Sequence, residues 1–132
     1  MNARGAIRYL IGSVAVCAFV GCVISPTMLD RAVVRNATSR KISEVMVRHE
    51  PTGATGRVSA ILPRAEFDLG FSRRPLKAKR AVVIWKETTG AMNRVEVVLP
   101  PRPKQEKTRT DRTFTLVYTI QTSGAVSVHL QP

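Results

Sequence analysis

Thr113-Phe114-Thr115-Leu116-Val117-Tyr118-Thr119-Ile120-Gln121 alternates strictly, with Phe114, Leu116, Tyr118 and Ile120 on one parity and Thr113, Thr115, Val117 and Thr119 on the other. A period of two sends successive side chains to opposite faces of a strand, so this stretch reads as a half-buried β-strand. Downstream, Thr122-Ser123-Gly124 turns the chain into a last strand with Val126, Val128 and Leu130 inward. His129 falls with Ala125 and Ser127 on its outer face. Upstream, Asn93 to Leu99 places Val95, Val97 and Leu99 inward and joins through Thr88-Thr89-Gly90 to Ala81–Trp85. That continuously apolar run predicts a central strand covered on both faces, and the two together read as a hairpin.

The same reading extends back to residue 30. Glu66 to Phe71 alternates, with Phe67, Leu69 and Phe71 on one face and Glu66, Asp68 and Gly70 on the other. Arg57 to Leu62 predicts a strand with Val58, Ala60 and Leu62 inward; Ile42 to Arg48 one with Val45 and Val47 sharing a face; and Arg31 to Arg35 a short first strand. Asn36-Ala37-Thr38-Ser39 and His49-Glu50-Pro51-Thr52-Gly53 are turn clusters, and Ser72 to Pro75 is a break. Pro100-Pro101-Arg102-Pro103 stops a strand, and the segment to Arg112 has nothing apolar to bury, so it reads as a long basic loop. Helical spacing of apolar residues is absent from this region. The fold class is therefore all-β: a small antiparallel β-sandwich of about seven or eight strands, with a small closed barrel as the alternative. In strand order and loop placement it resembles an immunoglobulin- or fibronectin-type module, with Trp85 and Tyr118 placed for such a core, although the cysteine and tryptophan spacing of true immunoglobulin domains is missing.

The first thirty residues read differently. Arg4 and Arg8 precede an uncharged run from Tyr9 to Leu29, diluted by Gly12, Ser13, Gly21, Ser25 and Pro26. A basic start, a compact apolar core and small residues make the plan of an export signal or an N-terminal anchor helix. Phe19-Val20-Gly21-Cys22 resembles the lipobox of bacterial lipoprotein precursors, with Phe19 and Val20 departing from its usual residues. The resemblance implies that Cys22 is lipidated and becomes the mature N-terminus. An uncleaved anchor and a cleaved, freely exported chain are the other two outcomes. The expected organisation is a signal or anchor over 1–22, a short linker over 23–30 and a β-sandwich domain over 31–132, held at the bacterial cell envelope outside the cytoplasmic membrane.

Both cysteines, Cys17 and Cys22, lie in the leader, so the expected domain has no disulfide and no thiol chemistry. Its large core residues are expected to be Phe67, Phe71, Trp85, Phe114 and Tyr118. The chain has 21 Lys and Arg against 9 Asp and Glu, a formal net charge of +12. Such an excess favours anionic partners, among them lipid headgroups, lipopolysaccharide and cell-wall polymers. One cluster concentrates it: Arg73, Arg74, Lys77, Lys79 and Arg80. Without interleaved aromatics that cluster is no single-strand platform, and export removes cytosolic nucleic acid as a partner. His49 at a turn and His129 on an outer face converge with no other ligands, so neither a metal nor a cofactor is expected. No nucleophile elbow or phosphate loop occurs, and Glu66 and Asp68 read as a solvated face, so no enzyme is expected. The expectation is a membrane-tethered envelope protein whose domain binds or helps assemble another component, or alternatively acts through its basic surface on anionic lipid or polymer.

Overall fold

A computed structural model describes residues 28–101 and 113–132, which form nine β-strands and no helix. The leader with Cys22 and the basic loop over 102–112 lie outside these residues. The strands are β1 (Met28–Asn36), β2 (Ile42–Glu50), β3 (Thr55–Ile61), β4 (Glu66–Asp68), β5 (Arg74–Pro75), β6 (Arg80–Lys86), β7 (Met92–Val98), β8 (Thr113–Ile120) and β9 (Val126–Gln131). They make two sheets. One has the order β4-β1-β8-β9, with β5 also on β1; the other has the order β3-β2-β6-β7. The architecture is therefore sandwich-like rather than a closed barrel.

The core lies between the sheets, where Trp85 and Tyr118 are its largest fully buried side chains. Leu29, Val34, Leu116 and Ile120 meet Val45, Val47, Ile61, Ala81 and Val83 there. The outer face of β6 is covered in another way. Val82 is buried between its ladder partners Arg48 and Glu96. Glu50 pairs with Arg48 at 3.1 Å and with Arg80 at 3.7 Å, and Arg80 reaches Glu96 at 3.6 Å. The aliphatic stems of such charged residues can cover apolar surface while their heads stay wet.

The sequence expectations need five corrections. The sandwich is not wholly antiparallel, because β1 and β8 pair in parallel from Met28↔Thr113 to Asn36↔Ile120. The first strand begins at Met28 rather than Arg31, so Met28, Leu29 and Asp30 belong to a strand and not to a linker; Leu29 is a core residue. In β3, Ile61 is buried while Ala60 is exposed and Leu62 is 64% exposed, the reverse of the expected phase beyond Val58. The flip follows Glu44, whose φ of 49° kinks β2 while β3 keeps register with it. Phe67 is 50% exposed, because only Glu66–Asp68 is strand and the chain then turns at Gly70 (φ 73°). Leu69 and Phe71 dip into the core there, leaving β4 and β5 as two pieces of one interrupted edge on β1. Last, His49 lies in β2 and is buried, continuing the parity of Val45 and Val47.

Candidate functional site

The ladders give the domain two distinct ends. The starts of β1, β6 and β8 lie with the ends of β2, β7 and β9, since Met28 pairs with Thr113, Glu50 with Arg80, Arg80 with Val98 and Gln131 with Thr115. The chain comes into the fold at this end, called proximal below. The distal end carries the β1–β2, β6–β7 and β8–β9 connections.

At the proximal end the basic stretch is pinned rather than loose. Arg74 and Pro75 pair with Leu29 and Met28, and Leu76 and Ala78 are buried, so Lys77 and Lys79 alternate outward. Within the five-residue cluster the roles divide. Arg80 is engaged by Glu50 and Glu96. Arg74 donates from Nε to the Ser72 carbonyl and from Nη2 to the Ser72 hydroxyl, with its guanidinium 6.0 Å from the centre of the Phe71 ring. Arg73, Lys77 and Lys79 are exposed and have no carboxylate partner among the described residues. Within the cluster, those three are free to meet an anionic surface.

Behind them sits a buried polar array that the sequence reading missed. His49 stacks on Phe71 with ring centres 4.7 Å apart and planes 5° from parallel. A 2.6 Å hydrogen bond joins its Nε2 to the Tyr118 hydroxyl of the opposite sheet. Burial first, and the Arg74 charge second, lower the His49 pKa from 6.5 to about 4, so the imidazole is neutral at pH 7. Burial likewise raises the Tyr118 phenol, which stays protonated. The cavity beside them, about 230 Å³, is lined by Leu29, His49, Thr52, Arg74 and Leu76 among others. Lys77 also lines it, and the His–Tyr hydrogen bond joins the two sheets. The signal for it was available: His49 falls on the parity of Val45 and Val47.

The distal end is built on Asn36, which is fully buried. Its Nδ2 donates to the carbonyls of Arg40, Ile61 and Leu62, and its Oδ1 accepts from the Thr38 amide and hydroxyl. These bonds fix the β1–β2 connection against the end of β3. Two matched hairpins flank it. Glu87-Thr88-Thr89-Gly90-Ala91 and Gln121-Thr122-Ser123-Gly124-Ala125 close through the same pair of backbone bonds, with Gly90 and Gly124 at φ 89° and 85°. Glycine adopts that left-handed conformation at no steric cost. Between hairpins and connection lies a cleft of about 320 Å³, edged by Thr38, Arg40, Lys41, Glu87, Thr88 and Gln121 over Trp85. A wider, shallower groove of about 710 Å³ runs past Met46, Phe67, Ile84 and Met92.

Glu66 and Asp68 do not converge on a common target. Glu66 accepts from Arg35 at 3.0 Å and Asp68 accepts from the Gly70 amide at 2.8 Å. Of the two histidines, His129 is exposed and hydrogen-bonded to Gln131. Among the described residues no three His, Cys, Asp or Glu side chains come together as metal ligands.

No protein-family model matches this sequence, and no curated protein matches it. Among solved structures it is similar to the NMR structure of a protein from Eubacterium rectale, with 14% identity, a TM-score of 0.47, and coverage of 80% of this chain and 88% of that one.

Proposed function

We propose that this chain is a non-enzymatic, membrane-tethered module of a bacterial cell envelope. In this reading Cys22 carries the lipid and the domain, an immunoglobulin-like sandwich in its finer type, binds or helps assemble another envelope component. The observation that carries the reading is the polarity of the domain. The chain comes in at Met28, at the same end as Arg73, Lys77 and Lys79, so a leader anchored in a membrane turns those cations toward its headgroups. Each near-surface basic residue adds about 1 kcal/mol on an anionic bilayer, and acyl chains add about 0.8 kcal/mol per buried CH₂. The edges and the distal cleft are then left for a partner, at an effective concentration raised by the tether.

The alternative, in which the basic surface is itself the working site on anionic lipid, lipopolysaccharide or wall polymer, draws on the same three unpaired cations. Two measurements test the readings. Cys22→Ala is expected to change the mature mass and release the chain from the membrane fraction; an unaltered mass with full attachment overturns lipidation. In the released chain, Arg73→Glu/Lys77→Glu/Lys79→Glu is expected to abolish salt-sensitive binding to phosphatidylglycerol vesicles. Salt-insensitive binding, or binding that the triple variant retains, overturns the role of the cluster.

A further inference from the structure

Among the described residues one side of the sandwich is open. β7 and β9 are both outermost strands, each paired on one side only among the described residues, and they lie across from one another at the rim of the two sheets. Val95, Val97, Val126, Val128 and Leu130 pack on the core from this rim yet are only half-buried. They form an apolar seam that no strand covers among the described residues.

Among the described residues β9 is also an uncovered hydrogen-bonding edge. The Gln121 amide donates to the Ala125 carbonyl at 2.9 Å, which sets the parity of the β8–β9 ladder. Ser127, His129 and Gln131 therefore bond back to β8, and Val126, Val128 and Leu130 direct their amides and carbonyls to the free edge. The residues that line the seam thus also offer the donors and acceptors. Exposed edges are ordinarily blunted by charge, proline or a bulge. β7 has Arg94 and Glu96, β3 has Arg57, and β4 has Glu66 and Asp68, whereas β9 has no charged residue, no proline and no register shift.

We infer that β9 is a docking edge for an extended segment of a different polypeptide, one that adds as a further strand, lays alternate apolar side chains over the seam, and carries acidic residues between and beside them. Strand addition takes its affinity from main-chain bonds and its specificity from alternate side chains, and both are on offer here. The acidic preference follows from the formal net charge of +12. The same charge disfavours a second copy as the occupant. Two copies tethered to one membrane and related by an axis normal to it would also bring their β9 strands together in parallel, the weaker pairing. This inference deepens the proposed binding role, and its test does not depend on the tether.

The probe is a synthetic peptide alternating valine or leucine with glutamate, added to the full chain in detergent and, separately, to the Cys22→Ala chain. Amide exchange at Val126, Val128 and Leu130 is expected to slow on binding, equally in both chains. Val128→Pro, which removes an outward amide at an edge position where proline is tolerated, is expected to weaken binding by about tenfold or more. Peptides N-methylated on one parity or the other supply a second measurement that leaves the protein untouched: one parity must abolish binding and the other retain it. Equal binding by both, no binding by the unmodified peptide, equal binding by a lysine-substituted version, or self-association through β9 each overturns the inference. The mass and fractionation result for Cys22→Ala bears on the tether alone.

Discussion

Acidification below pH 6.5 should destabilise this domain through one residue, His49. The neutral imidazole is closed in by the Phe71 ring on one face, the Tyr118 hydroxyl at 2.6 Å and the Arg74 charge above the cavity. Its pKa falls from 6.5 to about 4 on folding. Between those values the unfolded chain binds a proton that the folded chain refuses, so stability rises with pH across the window and is lost as pH falls. The contribution is complete above about pH 6.5, lower by about 2 kcal/mol at pH 5, and lower by about 3 kcal/mol at pH 4. A small domain has roughly 5–15 kcal/mol to lose, so the effect is large enough to measure.

The assay is urea unfolding at pH 7, 6, 5 and 4 on the natural chain and on His49→Phe/Tyr118→Phe. Changing both partners matters, because an apolar pair of similar shape leaves no orphaned polar atom, whereas His49→Phe alone strands the Tyr118 hydroxyl. Carboxylates that protonate over the same range act on both chains and cancel in the difference. The double variant is expected to match the natural chain within about 1 kcal/mol at pH 7 and to exceed it by about 2 kcal/mol at pH 5. Parallel loss of stability in the two chains across pH 6.5 to 4 would refute the assignment of acid sensitivity to His49.

Four further substitutions, at three positions, probe the frame. Asn36→Ala removes three side-chain bonds within the β1–β2 connection and two to the end of β3, and leaves buried groups unpaired, for an expected loss of about 3 kcal/mol in denaturant titration and faster exchange at Thr38. Asn36→Asp should be no better, since a carboxylate would face the carbonyls of Arg40, Ile61 and Leu62. Gly56→Ala would set a methyl 2.8 Å from Leu69 Cβ and 2.9 Å from the Leu69 carbonyl, an overpacking cost of about 1–3 kcal/mol by the same titration. Gly53→Ala, whose added methyl meets nothing within 4 Å but must hold φ at 75°, should cost only the backbone strain of about 1–2 kcal/mol.

Legibility in the sequence followed how local each determinant is. β6 was readable as a continuous apolar run and β7 to β9 because each alternates within its own residues, with Thr-Thr-Gly and Thr-Ser-Gly turns inside the two hairpins. β3 and β4 were readable as strands but not in phase. Their phase is set by Glu44 (φ 49°), Arg64 (φ 64°) and Gly70 (φ 73°), and glutamate and arginine give no warning of a left-handed backbone. The parallel pairing of β1 with β8 joins residues some eighty positions apart and leaves no local trace. Asn36 looked like the start of a polar turn, and only the fold reveals that carbonyls from the β1–β2 connection and from the end of β3 converge on its amide. The basic cluster was legible as composition alone; ion pairs made elsewhere divide it into Arg80, which is engaged, and Arg73, Lys77 and Lys79, which are not.

That division sets up a last prediction about the tether. If Cys22 carries the lipid, as proposed, residues 23–27 separate the anchor from Met28, and so short a segment spans at most about 20 Å. Screening reduces attraction over about 8 Å at physiological ionic strength, so the segment keeps Arg73, Lys77 and Lys79 within a few screening lengths of the headgroups. Lengthening it should weaken their contribution slowly, because doubling the length of a flexible linker costs only about 0.6 kcal/mol in closure entropy. Inserting ten Gly-Ser residues before Met28 is therefore expected to leave the chain in the membrane fraction and to cut the protection of the Lys77 and Lys79 region from protease at low salt by only a few-fold. Reversing the three charges should remove that protection altogether, with either spacer. Protection that survives charge reversal, or vanishes with the longer spacer alone, would mean that the proximal end is held by something other than its cations.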